Sequence, residues 1–239
     1  MIPKIIHYCW FGKGEKNSEV RRCISTWKNK LPDYEIKEWN EKNFNYKKYS
    51  YTREAYYLGK YAFVSDVCRL YALYREGGIY LDTDIEVLKS FDPYLTHKSF
   101  VGYEVDDLVG TGVIGAEKGE EWIKMMYDSY MNPCGFISWD GSLYNTPNTI
   151  RLTNMLKNIL KENQPVIYPV DYFCAKKWDT KELLVTNNTV CIHHYQSSWF
   201  NNPVRTNIYE QWICDKLHVR NRHVFTKVYK KYITLLSII

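Results

Sequence analysis

Ala62-Phe-Val-Ser-Asp-Val-Cys-Arg-Leu-Tyr-Ala-Leu-Tyr-Arg-Glu-Gly-Gly-Ile-Tyr-Leu-Asp-Thr-Asp84 is the stretch from which the fold is read. Val64, Val67, Leu70, Tyr71 and Tyr74 recur at the three-and-four spacing of one helix face. Gly77-Gly78 stops that helix, because glycine adopts the left-handed conformation that helix C-termini need. Ile79 to Ile85 then reads as a strand. It carries Asp82 and Asp84 two residues apart, and alternation in a strand points both carboxylates the same way.

Upstream, the helical pattern begins at Glu54 and breaks near Gly59. Tyr34 to Trp39 alternates as a strand, and Asn17 to Lys30 reads as a helix with Ser18 as its N-cap. Ile2 to Phe11 is a short apolar run closed by Gly12-Lys13-Gly14, a buried first strand. The order strand, helix, strand, helices, strand predicts an α/β domain with a mostly parallel central sheet. Downstream, residues 100–116 hold one or two strands, and Lys118 to Met131 and Ile150 to Glu162 are helical. Val166 to Tyr172 and Thr189 to His194 are short strands, and a helical segment runs from Ile208.

The chain has 239 residues, 45% apolar and 25% charged, which suits one domain and excludes collagen-like, coiled-coil and disordered chains. No apolar run reaches the length of a membrane-spanning helix, and the start lacks a signal-peptide pattern. Seven scattered cysteines without a C-x-x-C predict reduced thiols in a cytosol-facing protein. From Val204 onward seven Lys and Arg oppose two acids, which accounts for the whole net charge of +5. A nucleic-acid binder would spread its basic charge more widely. The domain is therefore read as residues 1–203, followed by a basic helical tail, 204–239, that packs on the domain or lies on an anionic membrane surface.

Three segments could carry chemistry. Asp82 and Asp84 at a strand end are either a solvated acidic pair or oxygen ligands for Mg²⁺ or Mn²⁺. Their position, after a strand of an α/β sheet, is where such sheets place ligands. Asp66 and Arg69 share a helix face, either as a simple ion pair or to meet sugar hydroxyls and phosphate oxygens. In His193-His194-Tyr195-Gln196-Ser197-Ser198-Trp199 an imidazole completes a metal shell or is a core histidine, while Ser197 and Trp199 offer donors. Gly110-Thr-Gly112-Val-Ile-Gly115 spells a dinucleotide fingerprint, but no helix opens on its last glycine. Its glycines are read as allowing close backbone approach beside the site. Glu104, Asp106 and Asp107 are open between contacts to sugar or acceptor and plain surface acids.

Together these segments resemble the DXD-containing glycosyltransferase family 32, which includes fungal initiating mannosyltransferases and capsular-polysaccharide enzymes. They are distantly similar to glucosylating bacterial cytotoxins. The likeness runs over residues 2–92 and again over 189–200. It implies the GT-A, Rossmann-like nucleotide-sugar transferase fold. It also implies a retaining hexosyltransferase that moves a hexose from a nucleoside-diphosphate sugar, a UDP-sugar being favoured. The acceptor it implies is a glycan or lipid-linked glycan, in capsule or surface polysaccharide synthesis.

By the same resemblance Trp10 stacks on the base and Cys9 offers it backbone groups, while Ser65, Asp66 and Arg69 line the donor and Tyr80 precedes the metal pair. Asp84 is the main ligand of Mn²⁺ or Mg²⁺, and Asp82 touches the ribose or metal-bound water. His194, Ser197 and Trp199 close over metal and diphosphate, although the cytotoxins carry an acid at the His194 position. Where many relatives carry Gly-Pro this chain has Asn145-Thr146-Pro147. The expected location is cytoplasmic, with peripheral contact at the inner membrane face through the tail. A sugar-binding module without catalysis and a metal-dependent phosphohydrolase are the competing readings.

Overall fold

A computed structural model describes residues 1–105, 107–131, 135–138 and 143–196. The tail 204–239, Asp106, Ser197 and Trp199 lie outside the described residues.

Nine strands and six α-helices follow one another among the described residues. The strands are β1 (Ile5–Cys9), β2 (Glu35–Trp39), β3 (Gly78–Leu81), β4 (Ile85–Val87), β5 (Ser99–Val105), β6 (Leu108–Val109), β7 (Val113–Ala116), β8 (Val166–Tyr168) and β9 (Cys191–His193). The helices are α1 (Ser18–Lys30), α2 (Ser50–Tyr57), α3 (Tyr61–Glu76), α4 (Glu121–Ser129), α5 (Asn148–Leu156) and α6 (Val170–Phe173). The main sheet runs β2-β1-β3-β7-β5-β6, with β8 also on β5, and β4 pairs with β9 apart from it. β1 is parallel to β2 and β3, β5 is parallel to β8, and β7 and β6 run against their neighbours. Five of the seven strands thus point one way, the mostly parallel α/β sheet that the element order implies. Both faces are covered, so β1 is buried almost throughout, as a central parallel strand should be. One core gathers α2, α3, α4 and α5 on one face, and a second joins α1, β4 and α6 on the other.

α3 ends as its sequence predicts. Gly77 has φ 70°, and a Cβ there would come within 2.7 Å of the Lys118 nitrogen. Its N–H donates to Leu73 O at 2.8 Å, closing the last turn. The cap of α1 is Asn17 rather than the expected Ser18: Asn17 is extended, and its Oδ1 accepts from the Val20 N–H at 2.9 Å.

The larger difference lies at the acidic pair. The single strand expected over Ile79 to Ile85 is two strands. β3 stops at Leu81, residues 82–84 turn, and the Ile85 N–H donates to Asp82 O at 3.0 Å. The chain then leaves the main sheet to pair with β9. Residues 99–116 likewise form three strands rather than one or two, and Val166 to Tyr172 splits into β8 and α6.

Candidate functional site

A cavity of about 530 Å³ opens at the C-terminal ends of β1 and β3. Its size suits a small polar ligand. Cys9 and Trp10 follow from β1, Ser65, Asp66 and Arg69 from α3, and Tyr80, Asp82 and Asp84 from β3 and its turn. The structure therefore brings together eight residues that the sequence singles out. The two aspartates share the cavity because the chain turns between them, not because a strand alternates.

Arg69 is the hub. Its guanidinium donates to Asp66 Oδ1 at 3.0 Å and to Thr111 O at 2.7 Å, and lies 3.2 Å from Asp82 Oδ1. It also sits over the Tyr80 ring, 4.4 Å from its centre, and the Tyr80 hydroxyl donates to Asp82 Oδ1 at 2.9 Å. Asn148, at the first turn of α5, donates to Asp66 Oδ1 at 2.6 Å and accepts from Thr111 Oγ1 at 2.7 Å. Asp66 and Arg69 are buried. Burial raises the Asp66 carboxyl to about 6 against the pull of Arg69. Burial also works against the Arg69 charge, yet Asp82, Tyr80 and Asp66 more than offset it, so its pKa is raised. The two partners respond differently because the Asp82 charge favours the charged form of Arg69 but disfavours that of the buried Asp66.

Asp84 is held from the other side. Its Oδ1 is 3.3 Å from His193 Nε2, and its Oδ2 accepts the Gln196 N–H at 2.9 Å. Burial pushes the Asp84 carboxyl up, but the His193 charge, its hydrogen bond and the Gln196 N–H outweigh that and hold it well below the usual carboxylate range. Burial would lower His193, yet the attraction and hydrogen bond of Asp84 raise it well above its ordinary value.

The imidazole beside the acids is His193, and this corrects the expectation of His194. β4 and β9 pair Ile85 with His193 and Glu86 with Ile192, so successive side chains of this ribbon face opposite ways. His193 turns into the cavity. His194 turns toward α1, where its Nε2 lies 2.7 Å from Glu86 Oε2 and 2.9 Å from an Arg22 nitrogen. Ligand atoms of His194, Glu19 and Cys23 lie within 4.8 Å of one another there. Arg22, in ion pairs with Glu19 and Glu86, already supplies that cluster with a cation.

The cavity also holds groups that the sequence reading missed: Asn148, Thr111 and the Gln196 backbone. Asn148 sits just past Asn145-Thr146-Pro147, and only its contact with Asp66 marks it out. The glycines of 110–115 act as spacers. Asp82 N–H donates to Gly112 O at 2.8 Å, and a Cβ on Gly112 would come within 3.2 Å of Asp82 Oδ2 and 3.4 Å of His193 Nδ1. Gly115 lies inside β7 rather than at a helix start.

Residues 17–101 match the family described as the glycosyltransferase sugar-binding region containing DXD motif. That stretch is similar to a DXD glycosyltransferase sugar-binding region. Asp82-Thr83-Asp84 is its D-x-D, and α1, β2, α2, α3, β3 and β4 all fall within it. Inositol phosphoceramide mannosyltransferase 3 of Schizosaccharomyces pombe (strain 972 / ATCC 24843) is 29% identical over 132 residues, covering 51% of this chain and 35% of that relative. The chain thus spans about a third of the length of the curated relative it matches. Among solved structures, the PaToxG glycosyltransferase is 20% identical with a TM-score of 0.47, over 66% of this chain and 68% of that one. A glycosyltransferase involved in glycosylating the major capsid of PBCV-1 is 11% identical with a TM-score of 0.49, over 87% and 98%.

Proposed function

We propose that this protein is a metal-dependent glycosyltransferase of the GT-A kind. It takes a hexose from a nucleoside-diphosphate sugar, a UDP-sugar being favoured, and passes it with retention to a glycan or lipid-linked glycan. One observation carries the reading: the D-x-D pair opens into the same cavity as Trp10 and the Arg69 network. The resemblance to capsular-polysaccharide enzymes favours a role in surface glycan synthesis.

The residues present fit a divalent ion. The Tyr80 and Arg69 contacts to Asp82 both fall on Oδ1, and Oδ2 lies on the Gly112 side. His193 Nδ1 is buried and makes no hydrogen bond among the described residues. Asp82, Asp84 and His193 would hold the ion, and two carboxylates with one imidazole suit Mn²⁺ somewhat better than Mg²⁺. When bound, the ion supplies Lewis-acid stabilisation of the negative charge that develops on the departing diphosphate. His193 would hold the ion as the neutral imidazole.

The chain's own residues do the rest. Trp10 presents a half-buried indole whose Nε1 is fixed on Gly14 O at 2.7 Å, a flat surface for a base. Asp66 and Asn148 offer an acceptor and an amide to sugar hydroxyls. Arg69 keeps both carboxylates in place and adds a fixed positive charge near the leaving group, so no reorganisation is needed as charge builds up. In a retaining transfer of this kind the departing phosphate takes the acceptor proton. Ser197 and Trp199 are read as donors that close over the diphosphate.

The test is direct. Purified protein with Mn²⁺ should release nucleoside diphosphate from one member of a panel of UDP- and GDP-hexoses, and EDTA should stop it. Release that EDTA does not touch would overturn the mechanism. Glycan binding without turnover would return the sugar-binding module. No helix among the described residues is long and apolar enough to cross a membrane. The basic tail is proposed as a peripheral contact with anionic lipid. Removing residues 227–239 should reduce sedimentation with phosphatidylglycerol vesicles, and unchanged partition would sink that contact.

A further inference from the structure

Glu104 lines the cavity on the flank away from Trp10. In the sheet order β1-β3-β7-β5 it lies two strands beyond Asp82 and three beyond the strand that leads into Trp10. At about 4.8 Å between neighbouring strands, that puts its backbone ~10 Å from β3 and ~14 Å from β1. It stands at a break in pairing. Tyr103 pairs with Val109 and Val105 with Leu108, so Glu104 is the extra residue of a β-bulge. Bulges re-aim side chains and recur beside active sites. Gly110 packs directly on it, since a Cβ there would come within 3.2 Å of Glu104 Cβ.

The charge setting narrows what this side chain can bind. Among the described residues its carboxylate has neither a salt bridge nor a hydrogen bond, whereas Asp66, Asp82 and Asp84 each have at least one. Burial raises its pKa; the His193 charge opposes that rise, Asp82 and Asp84 add to it, and Arg69 opposes it more weakly. A half-buried carboxylate with no ion pair among the described residues gives a diphosphate no direct favourable contact. It can accept hydrogen bonds from the hydroxyl groups of a neutral polyol. With the base at Trp10 and the diphosphate at the D-x-D turn, the polyol that reaches β5 is the one on the far side of the reacting centre.

We propose that Glu104 is an acceptor-binding residue whose carboxylate accepts hydrogen bonds from hydroxyls of the acceptor sugar. This rests on the glycosyltransferase reading above.

The experiment uses the full chain with Mn²⁺, the panel of UDP- and GDP-hexoses, and methyl glycosides of glucose, galactose and mannose as acceptor probes. Glu104→Gln should raise the apparent KM for the accepted glycoside about tenfold, the loss expected for one hydrogen bond to a charged group. Its affinity for the Mn²⁺–nucleoside diphosphate complex and its KM for the nucleotide-sugar should stay near the wild-type values. Gly110→Ala, which crowds the bulge without touching the carboxylate, should raise the same acceptor KM by a smaller factor. A thermal melt of each variant that matches the wild type removes misfolding as the cause. An unchanged acceptor KM overturns the assignment. So does an equal rise in the nucleotide-sugar KM, which would move Glu104 to the donor side. If the wild type releases no nucleoside diphosphate from any sugar donor, the glycosyltransferase reading fails first and this inference falls with it.

Discussion

Along β1, β3 and α3 the charged side chains of the cavity meet partners before any ligand arrives: Asp66 and Asp82 share Arg69, Tyr80 supports Asp82, and Asn148 reaches across to Asp66. Along β7 and β5 the wall is Gly112, a bulge, and a carboxylate without an ion pair among the described residues. The first flank is preorganised and the second is spare. The proposed transfer would use this division, because the diphosphate end of a donor changes little between substrates while the sugar and acceptor end must be selected.

The largest expected effect tests the preorganised flank. Arg69→Ala leaves two carboxylates in the cavity wall without their shared cation, and Asp66 is buried. Loss of a buried partner costs about 3–5 kcal/mol, so urea unfolding should shift strongly and Arg69→Lys should fall between. A loss no greater than that of a surface ion pair would mean that the network is decoration.

Next is Asp84→Asn, which removes a charge from the proposed metal site. Turnover should fall by about two orders of magnitude in a variant that still folds, with a melting temperature lowered by loss of the His193 pair. A collapsed variant would instead assign this carboxylate to the fold.

The neighbouring histidines sharpen the contrast. His193→Ala should weaken Mn²⁺ binding, measured by calorimetry with nucleoside diphosphate present, on the order of tenfold. His194→Ala should leave that affinity near wild type, because its ring belongs to the Glu86 and Arg22 cluster. Equal effects would erase the distinction between the two faces of β9.

A pH slope tests the same flank without touching the proposed metal ligands. Asp66 is raised from 3.8 to about 6 in the folded protein, chiefly by burial. The folded state therefore binds this proton more tightly than the unfolded state. The stability from that proton is present at low pH and is lost as pH rises from about 4 through 6. The melting temperature of wild type minus that of Asp66→Asn should fall across that window. A difference that rises with pH would mean that Arg69 wins over burial.

Much of this was legible before the structure. The face of α3, its glycine stop and the break between α2 and α3 follow from spacing and composition, because helix periodicity is local. The D-x-D, Asp66, Arg69 and Trp10 were recognisable because a long block of sequence carries them. The turn inside the D-x-D was not. Ile79 to Ile85 reads as one strand, and only pairing with β7 on one side and β9 on the other splits it. His193 and His194 both fit a metal shell on paper, since alternation says that they differ but not which one faces the acids. Asn148 gave no signal, because its role exists only where α5 approaches α3.

The sequence by itself determined an α/β chain, the helix and strand order around residues 62–84, and the residue types of the candidate site. These properties depend on neighbours within a few positions, where side-chain spacing and glycine conformations act directly. Only the tertiary structure decided that a turn, not a strand, joins the two aspartates, that His193 faces them, and that Arg69 is shared between two carboxylates. Those choices depend on strand register and on burial by segments distant in the chain, which local periodicity does not encode.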